Sequence, residues 1–170
     1  MPPDRINQIQ NAITLRTELR PGDIGHIVAL HGTVYAAEYG FDRGFEAYVA
    51  GPLAACVLAG SDRDRIWIAE HDGEIVGCIA IVAAAPEVAQ LRWFLVKSEN
   101  RGWGLGKRLL QEALAFCKSI GYKSVFLWTV RALTVAAHLY ERAGFNKVEA
   151  KPGHRWGVDV IEEKYELILN

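Results

Sequence analysis

The sequence predicts a mixed α/β fold, with about seven strands in a largely antiparallel sheet and helices on both faces. Three observations carry this. Two apolar runs flank His71-Asp72-Gly73, a favoured turn for a β-hairpin. Another run, Val88 to Val96, is followed by an amphipathic helical stretch and then by the apolar run Lys123 to Thr129; a right-handed crossover of that kind sets its two strands parallel. Phe145 to Ala150 and Val158 to Leu169 then supply two closing strands.

Taken in order, the polar residues 1–12 read as a loose leader, and 13–170 as a single domain. Ile13 to Leu19 alternates apolar and polar residues, as a half-buried strand does, and Arg20-Pro21-Gly22 ends it. Asp23 can cap a helix carrying Ile24, Ile27, Leu30, His31, Val34, Tyr35 and Glu38 at three- and four-residue spacing up to Gly40. Asp42 can cap a second, with Phe45, Val49, Leu53 and Val57 on one side, which Gly51-Pro52 should bend or split. The hairpin follows, Ile66 to Glu70 and Glu74 to Ile81, and Pro86 ends its second strand. After Val88 to Val96 and the polar loop Lys97 to Asn100 comes a helix whose inner face is Leu105, Leu109, Leu110, Ala113, Phe116 and Cys117, with a stop at Gly121. Leu133 to Ala143 forms the last helix, closed by Gly144.

Composition narrows the function. The 170 residues hold 19 basic and 20 acidic side chains, a balance that signals neither a nucleic-acid groove nor a polybasic membrane patch. Cys56, Cys78 and Cys117 are odd in number and set in apolar stretches, which suits free thiols in a reducing cytoplasm better than a disulfide framework, and no metal cluster is evident. The start, Met1 to Asn11, shows no apolar core of signal-peptide length, and no later segment approaches the uninterrupted apolar run of a membrane span.

The turn Arg101-Gly102-Trp103-Gly104-Leu105-Gly106 carries the chemistry. Its three glycines bare main-chain N–H groups at a helix N-terminus, where partial positive charge attracts phosphate, and Arg101, Lys107 and Arg108 add cations. The spacing fits neither the dinucleotide fingerprint nor the nucleotide P-loop.

Arg101, Gly104 and Gly106 match in place the signature of the GNAT superfamily of acyl-coenzyme A dependent N-acyltransferases: Arg or Gln, two residues, Gly, one residue, Gly or Ala. Leu139-Tyr140-Glu141-Arg142-Ala143-Gly144-Phe145 resembles its second hallmark, Leu-Tyr-Glu-x-x-Gly-Phe. The run Gly22 to Gly25, His31 to Gly40 and Leu127 to Thr129 are similar to the acetyltransferase domains fused behind MarR-type regulators. The resemblance covers roughly Ile13 to Leu169. It implies a central parallel strand pair that splays apart, and acetyl-CoA with its pyrophosphate on the amides of Gly102, Trp103, Gly104, Leu105 and Gly106, beside Arg101 and Lys107. The pantetheine arm would pair with the backbone of Phe94, Leu95 and Val96. The implied reaction moves an acetyl group to an amine, on a small molecule or a peptide, by direct attack in a ternary complex; a non-catalytic acyl-CoA sensor is the other reading, and a homodimer is the assembly frequent among similar proteins.

In that scheme Tyr140, four residues before Gly144, is the general acid for the departing thiolate, and a free N–H near Leu95 serves the oxyanion. The base is open: the family's strand glutamate is Gln90 here, Glu87, Glu70 and Glu38 read as surface carboxylates, and a water chain is an equal candidate. Leu133 stands where the family often has a cofactor-holding Asn, so that contact is either lost or supplied by Thr129 or Thr134. Acceptor recognition falls to Tyr35, Glu38, Tyr39, His154 and Trp156, while Trp67, Trp93 and Trp128 read as core. His31 alone reads as a half-buried helix contact.

Overall fold

The computed structural model of the chain describes residues 12–170, so the leader lies almost wholly outside the described residues. In chain order the elements are β1 (Thr14–Arg16), α1 (Asp23–Tyr39), α2 (Arg43–Ala59), β2 (Arg65–His71), β3 (Glu74–Ala85), β4 (Val88–Val96), α3 (Leu105–Ile120), β5 (Ser124–Val130), α4 (Thr134–Arg142), β6 (Asn146–Arg155) and β7 (Val158–Ile168). They build one seven-stranded sheet in the order β1-β2-β3-β4-β5-β7-β6. Among the described residues only the β4–β5 pair is parallel, as the crossover through α3 requires; the other pairs there are antiparallel.

Each face of the sheet has its own core. On one, Leu105, Leu109, Ala113 and Phe116 of α3, with Tyr140 of α4, pack on Trp67, Ile79, Leu91, Val125 and Tyr165. On the other, Ile27 of α1 and Phe45, Val49 and Leu53 of α2 pack on Ile66, Ile68, Cys78, Trp93 and Leu95. Successive residues Ile66, Trp67, Ile68 and Ala69 alternate between the two cores, so β2 is buried on both faces.

Two local expectations change. Asp23 does not cap α1: Gly22 holds the cap position, while the Asp23 carboxylate takes both guanidinium Nη atoms of Arg16, at 2.7 and 2.8 Å, and the Arg20 N–H at 2.6 Å. The Arg16 bonds hold the Asp23 carboxyl below its ordinary value against the opposing effect of burial. Nor do Gly51 and Pro52 split α2, which runs unbroken from Arg43 to Ala59. The carbonyl that Pro52 leaves without a donor belongs to Tyr48, which is 40% exposed; water can satisfy it while Val49 and Leu53 stay packed. Asp42 caps this helix as expected, accepting from the Gly44 N–H at 2.7 Å.

β4 departs from a regular strand in a way that shapes the site. Cys78 pairs with Leu95 and Ala80 with Arg92, so β4 spends one residue more than β3 between those rungs, and Trp93 adopts φ 46°. This β-bulge switches faces: Leu91 points into the α3 core, whereas Trp93 and Leu95 point into the α1–α2 core. Gly77 makes the fit possible, because a Cβ there would lie 2.9 Å from the Leu95 carbonyl oxygen. The Cys78 thiol donates to the Trp93 carbonyl at 3.1 Å. Among the described residues no helix is long and apolar enough to cross a membrane.

Candidate active site

β4 and β5 pair only at Val88, Ala89 and Gln90, against Ser124, Val125 and Phe126. From Leu91 onward the β5-facing edge of β4 has no strand beside it among the described residues, so the two diverge toward their C-terminal ends, where a sheet of this kind opens to ligands. A cleft of about 940 Å³ occupies the gap. Phe94, Leu95 and Val96 form one wall, Arg101, Gly102, Gly104, Leu105, Gly106 and Lys107 the end, and residues of α4 with its preceding loop the opposite wall; Tyr35 and Tyr39 of α1 reach in from above.

The turn at the end of the cleft has the geometry expected of it. Gly102 and Gly104 lie at φ 79° and 78°, where a side chain is disfavoured. The first backbone bond of α3 runs from the Arg108 N–H to the Gly104 carbonyl at 3.0 Å. The N–H groups of Gly102, Gly104, Leu105, Gly106 and Lys107 therefore donate to no protein acceptor among the described residues. Gly106 keeps the passage narrow but clear: a Cβ there would stand 3.4 Å from Leu139 and 3.5 Å from Phe94. Arg101 is tied in place, its Nε donating to the Val96 carbonyl and its Nη1 to Glu38, each at 2.9 Å.

A second, smaller cavity of about 110 Å³ lies alongside. It shares Tyr35, Phe94 and Leu133 with the cleft, and its own walls include Gln90, Trp128, Thr129, Tyr140 and Trp156. Trp156 is placed by the β6–β7 turn, where its carbonyl accepts the Asp42 N–H at 2.9 Å; its ring packs on Phe41 and Phe45 at 5.1 and 5.0 Å. Tyr140, 5% exposed, sits at the end of α4 among Phe94, Phe145 and Tyr165, with ring centroids 5.8 to 6.0 Å away. Its hydroxyl has no hydrogen-bond partner among the described residues. Burial first, and then the neighbouring Tyr35 and Tyr165, push it well above the ordinary phenol value, so it keeps its proton.

The structure thus gathers the expected cofactor residues round one cleft, except Trp103, whose ring turns away to lie 6.0 Å from His71. Of the expected acceptor residues, Tyr35, Tyr39 and Trp156 line the two cavities. Glu38 is paired with Arg101, at the end of the large cleft. His154 is outside both, exposed on the terminal hairpin and 2.8 Å from Asp159. Gln90 and Thr129 face the smaller cavity and Leu133 and Thr134 the cleft, whereas Glu70 is engaged by Arg16 and Arg20. Trp128 is a cavity wall as well as a sheet residue, with Lys151 4.3 Å above its ring. The bulge at Trp93 was not foreseen; Gly77 inside an apolar strand was its one available signal.

A model of the acetyltransferase (GNAT) family matches residues 32–145. An N-acetyltransferase of Schizosaccharomyces pombe is 30% identical over 118 residues, which is 68% of this chain and 72% of that protein. Among solved structures, an N-acetyltransferase of Staphylococcus aureus Mu50 aligns with a TM-score of 0.77 at 16% identity, over 93% of this chain and 99% of its own. An acetyltransferase of Salmonella typhimurium, solved with its cofactor acetyl-CoA, aligns with a TM-score of 0.73 at 16% identity, over 94% of this chain and 95% of its own. With the family pattern spanning both motifs and the splayed strand pair, the chain belongs to the acetyltransferase (GNAT) family and works as an N-acetyltransferase.

Proposed function

We propose that the large cleft binds acetyl-CoA and that an amine, on a small molecule or a peptide, enters through the smaller cavity to be acetylated where the two meet. The observation that carries this is their shared wall of Tyr35, Phe94 and Leu133, with Tyr140 beside it. The residues present fit the cofactor. Five main-chain N–H groups at the start of a sixteen-residue helix suit a pyrophosphate, Arg101 and Lys107 add positive charge, and the open edge of β4 can take an extended amide chain as an added strand. When bound, acetyl-CoA supplies an activated acetyl thioester.

The chain's own groups then act as follows. Phe94, Leu133 and Tyr35 keep bulk water from the junction, which strengthens every polar contact within it. Tyr140 holds a proton at Oη that no protein acceptor competes for, and gives it to the departing sulfur. No carboxylate stands at Gln90 to take the amine's proton, so water in the smaller cavity carries it away. The likeness to the domains fused behind MarR-type regulators adds nothing to this chemistry. A cytoplasmic enzyme, supported by the three free thiols, and a homodimer complete the reading.

Tyr140→Phe tests it. Thiol release from acetyl-CoA with a panel of amines should fall by about a hundredfold or more in kcat, with coenzyme A affinity within about twofold by calorimetry. Unchanged kcat would remove Tyr140 from the chemistry, and absence of coenzyme A binding to the wild type would overturn the assignment of the cleft.

A further inference from the structure

The smaller cavity contains two polar groups that the scheme above leaves unused. The first is His31, on α1, which is 2% exposed. Its Nδ1 lies 2.8 Å from the Ile27 carbonyl one turn back, and since a carbonyl only accepts, Nδ1 carries the hydrogen. Nε2, on the other side of the ring, is then a bare lone pair. It is buried and has no partner among the described residues, and His31 forms part of the cavity wall. Burial pushes the imidazole down to about 4, so it stays neutral at physiological pH.

The second is Arg92, on β4. Its guanidinium lies 4.9 Å from the Trp93 ring centre and forms no hydrogen bond or ion pair among the described residues. The one carboxylate in the cavity wall cannot balance it, because Glu162 is taken by Arg155 at 2.9 and 3.1 Å. The cavity therefore presents an uncompensated cation, and the unfilled Nε2 of His31 lies buried behind its wall. A simple alkylamine, cationic on arrival, would meet Arg92 and no free carboxylate. A ligand carrying both an amine and a carboxylate would arrive without net charge and place its carboxylate on Arg92.

Their placement agrees with the direction of the reaction. His31 stacks on Tyr35, with ring centroids 6.1 Å apart and planes 11° from parallel, and Tyr35 belongs to the wall shared with the cofactor cleft. Arg92 precedes the shared residue Phe94 by two positions, at most about 7 Å of strand. An amine at the junction can thus have its carboxylate a few atoms further in, and a cavity of about 110 Å³ limits the rest of the molecule to small size.

We infer that the acceptor is a small aminocarboxylate, an α-amino acid or close analogue, with its carboxylate held by Arg92 and its amine at the junction beside Tyr35 and Phe94. This rests on the acetyl-transfer reading given above.

The test pairs each small α-amino acid with the amine left by removing its carboxyl group, and follows thiol release from acetyl-CoA. At least one amino acid should exceed its partner by about tenfold or more in kcat/KM, the weight of a charge-assisted hydrogen bond. It should also bind, by calorimetry, to the enzyme saturated with coenzyme A. Arg92→Gln should erase that preference, and Arg92→Lys should keep part of it. Coenzyme A affinity reports that each variant is folded. Turnover of amines without carboxylate preference, a preference that survives Arg92→Gln, or coenzyme A binding with no turnover of any amino acid would each overturn the inference and leave the cofactor assignment standing. Failure to bind coenzyme A at all would overturn both.

Discussion

At the scale of single residues, His31 shows how a group that looks ordinary in a helix changes character when it is covered. Its spacing on α1 marks it as inward-facing, but that α2 and the sheet would seal it, leaving Nε2 without a partner, depends on residues far away in the chain. The covering has a measurable consequence. Folded His31 titrates at about 4 and an unfolded histidine at about 6.5, so between those values the unfolded chain takes up a proton that the native state refuses. Stability should therefore fall as pH drops from 6.5 toward 4 and be unaffected by His31 above that window. The loss at pH 5 is about 2 kcal/mol, at roughly 1.4 kcal/mol per pH unit. The other titratable groups lining the same cavity are Arg92, Glu162, Tyr35, Tyr48 and Tyr140. Urea unfolding at pH 7 and pH 5 should show the loss in the wild type and its absence in His31→Leu; equal slopes would mean that His31 is hydrated or partnered in solution.

At the scale of elements, what could be read from the sequence was local and what could not was relational. The bounds of β4 and α3, the Asp72-Gly73 turn, the Asp42 cap and the stop at Gly121 depend on neighbouring residues, and each lies where the pattern puts it. At Asp23 a cap preference of about 1 kcal/mol gives way to a bidentate pair with Arg16, which arrives from β1. The bulge is the larger case. Alternation along Leu91, Trp93 and Leu95 suggests one face, yet the switch of cores between Leu91 and Trp93 needs an extra residue measured against β3. Gly77 is the hinge of that argument. Gly77→Ala should force its Cβ against the Leu95 carbonyl, 2.9 Å away, a backbone atom that cannot swing aside. The expected cost is about 1–3 kcal/mol in a urea titration, with a weaker hold on coenzyme A because Leu95 and Val96 line the cleft proposed for it. A variant with wild-type stability and affinity would show that the bulge is more pliable than its contacts imply.

At the scale of the molecule, one sheet separates two cores and opens between β4 and β5, so the site belongs to no single element: β4, the turn into α3, and α4 each contribute a wall. The two motifs legible in the sequence, Arg101 to Gly106 and Leu139 to Phe145, come together here, Gly106 facing Leu139 across the cleft; the acceptor side was legible only in part, since Glu38 and His154 are drawn to other partners. A ligand spanning all three walls must stabilise the whole fold. At a coenzyme A concentration a hundred times Kd, linkage adds about 2.7 kcal/mol, which in a chain of 170 residues raises Tm by roughly 5–10 °C. Gly104→Val separates the contribution of the amide cradle from that of the fold. Gly104 stands at φ 78°, so valine should lower Tm without ligand by the strain of a left-handed residue, about 1–2 kcal/mol. The quantity that decides is the increment on adding coenzyme A, which should shrink to a small part of the wild-type value as the β-branched side chain crowds the N–H groups at the start of α3. An undiminished increment in the folded variant would place the pyrophosphate elsewhere.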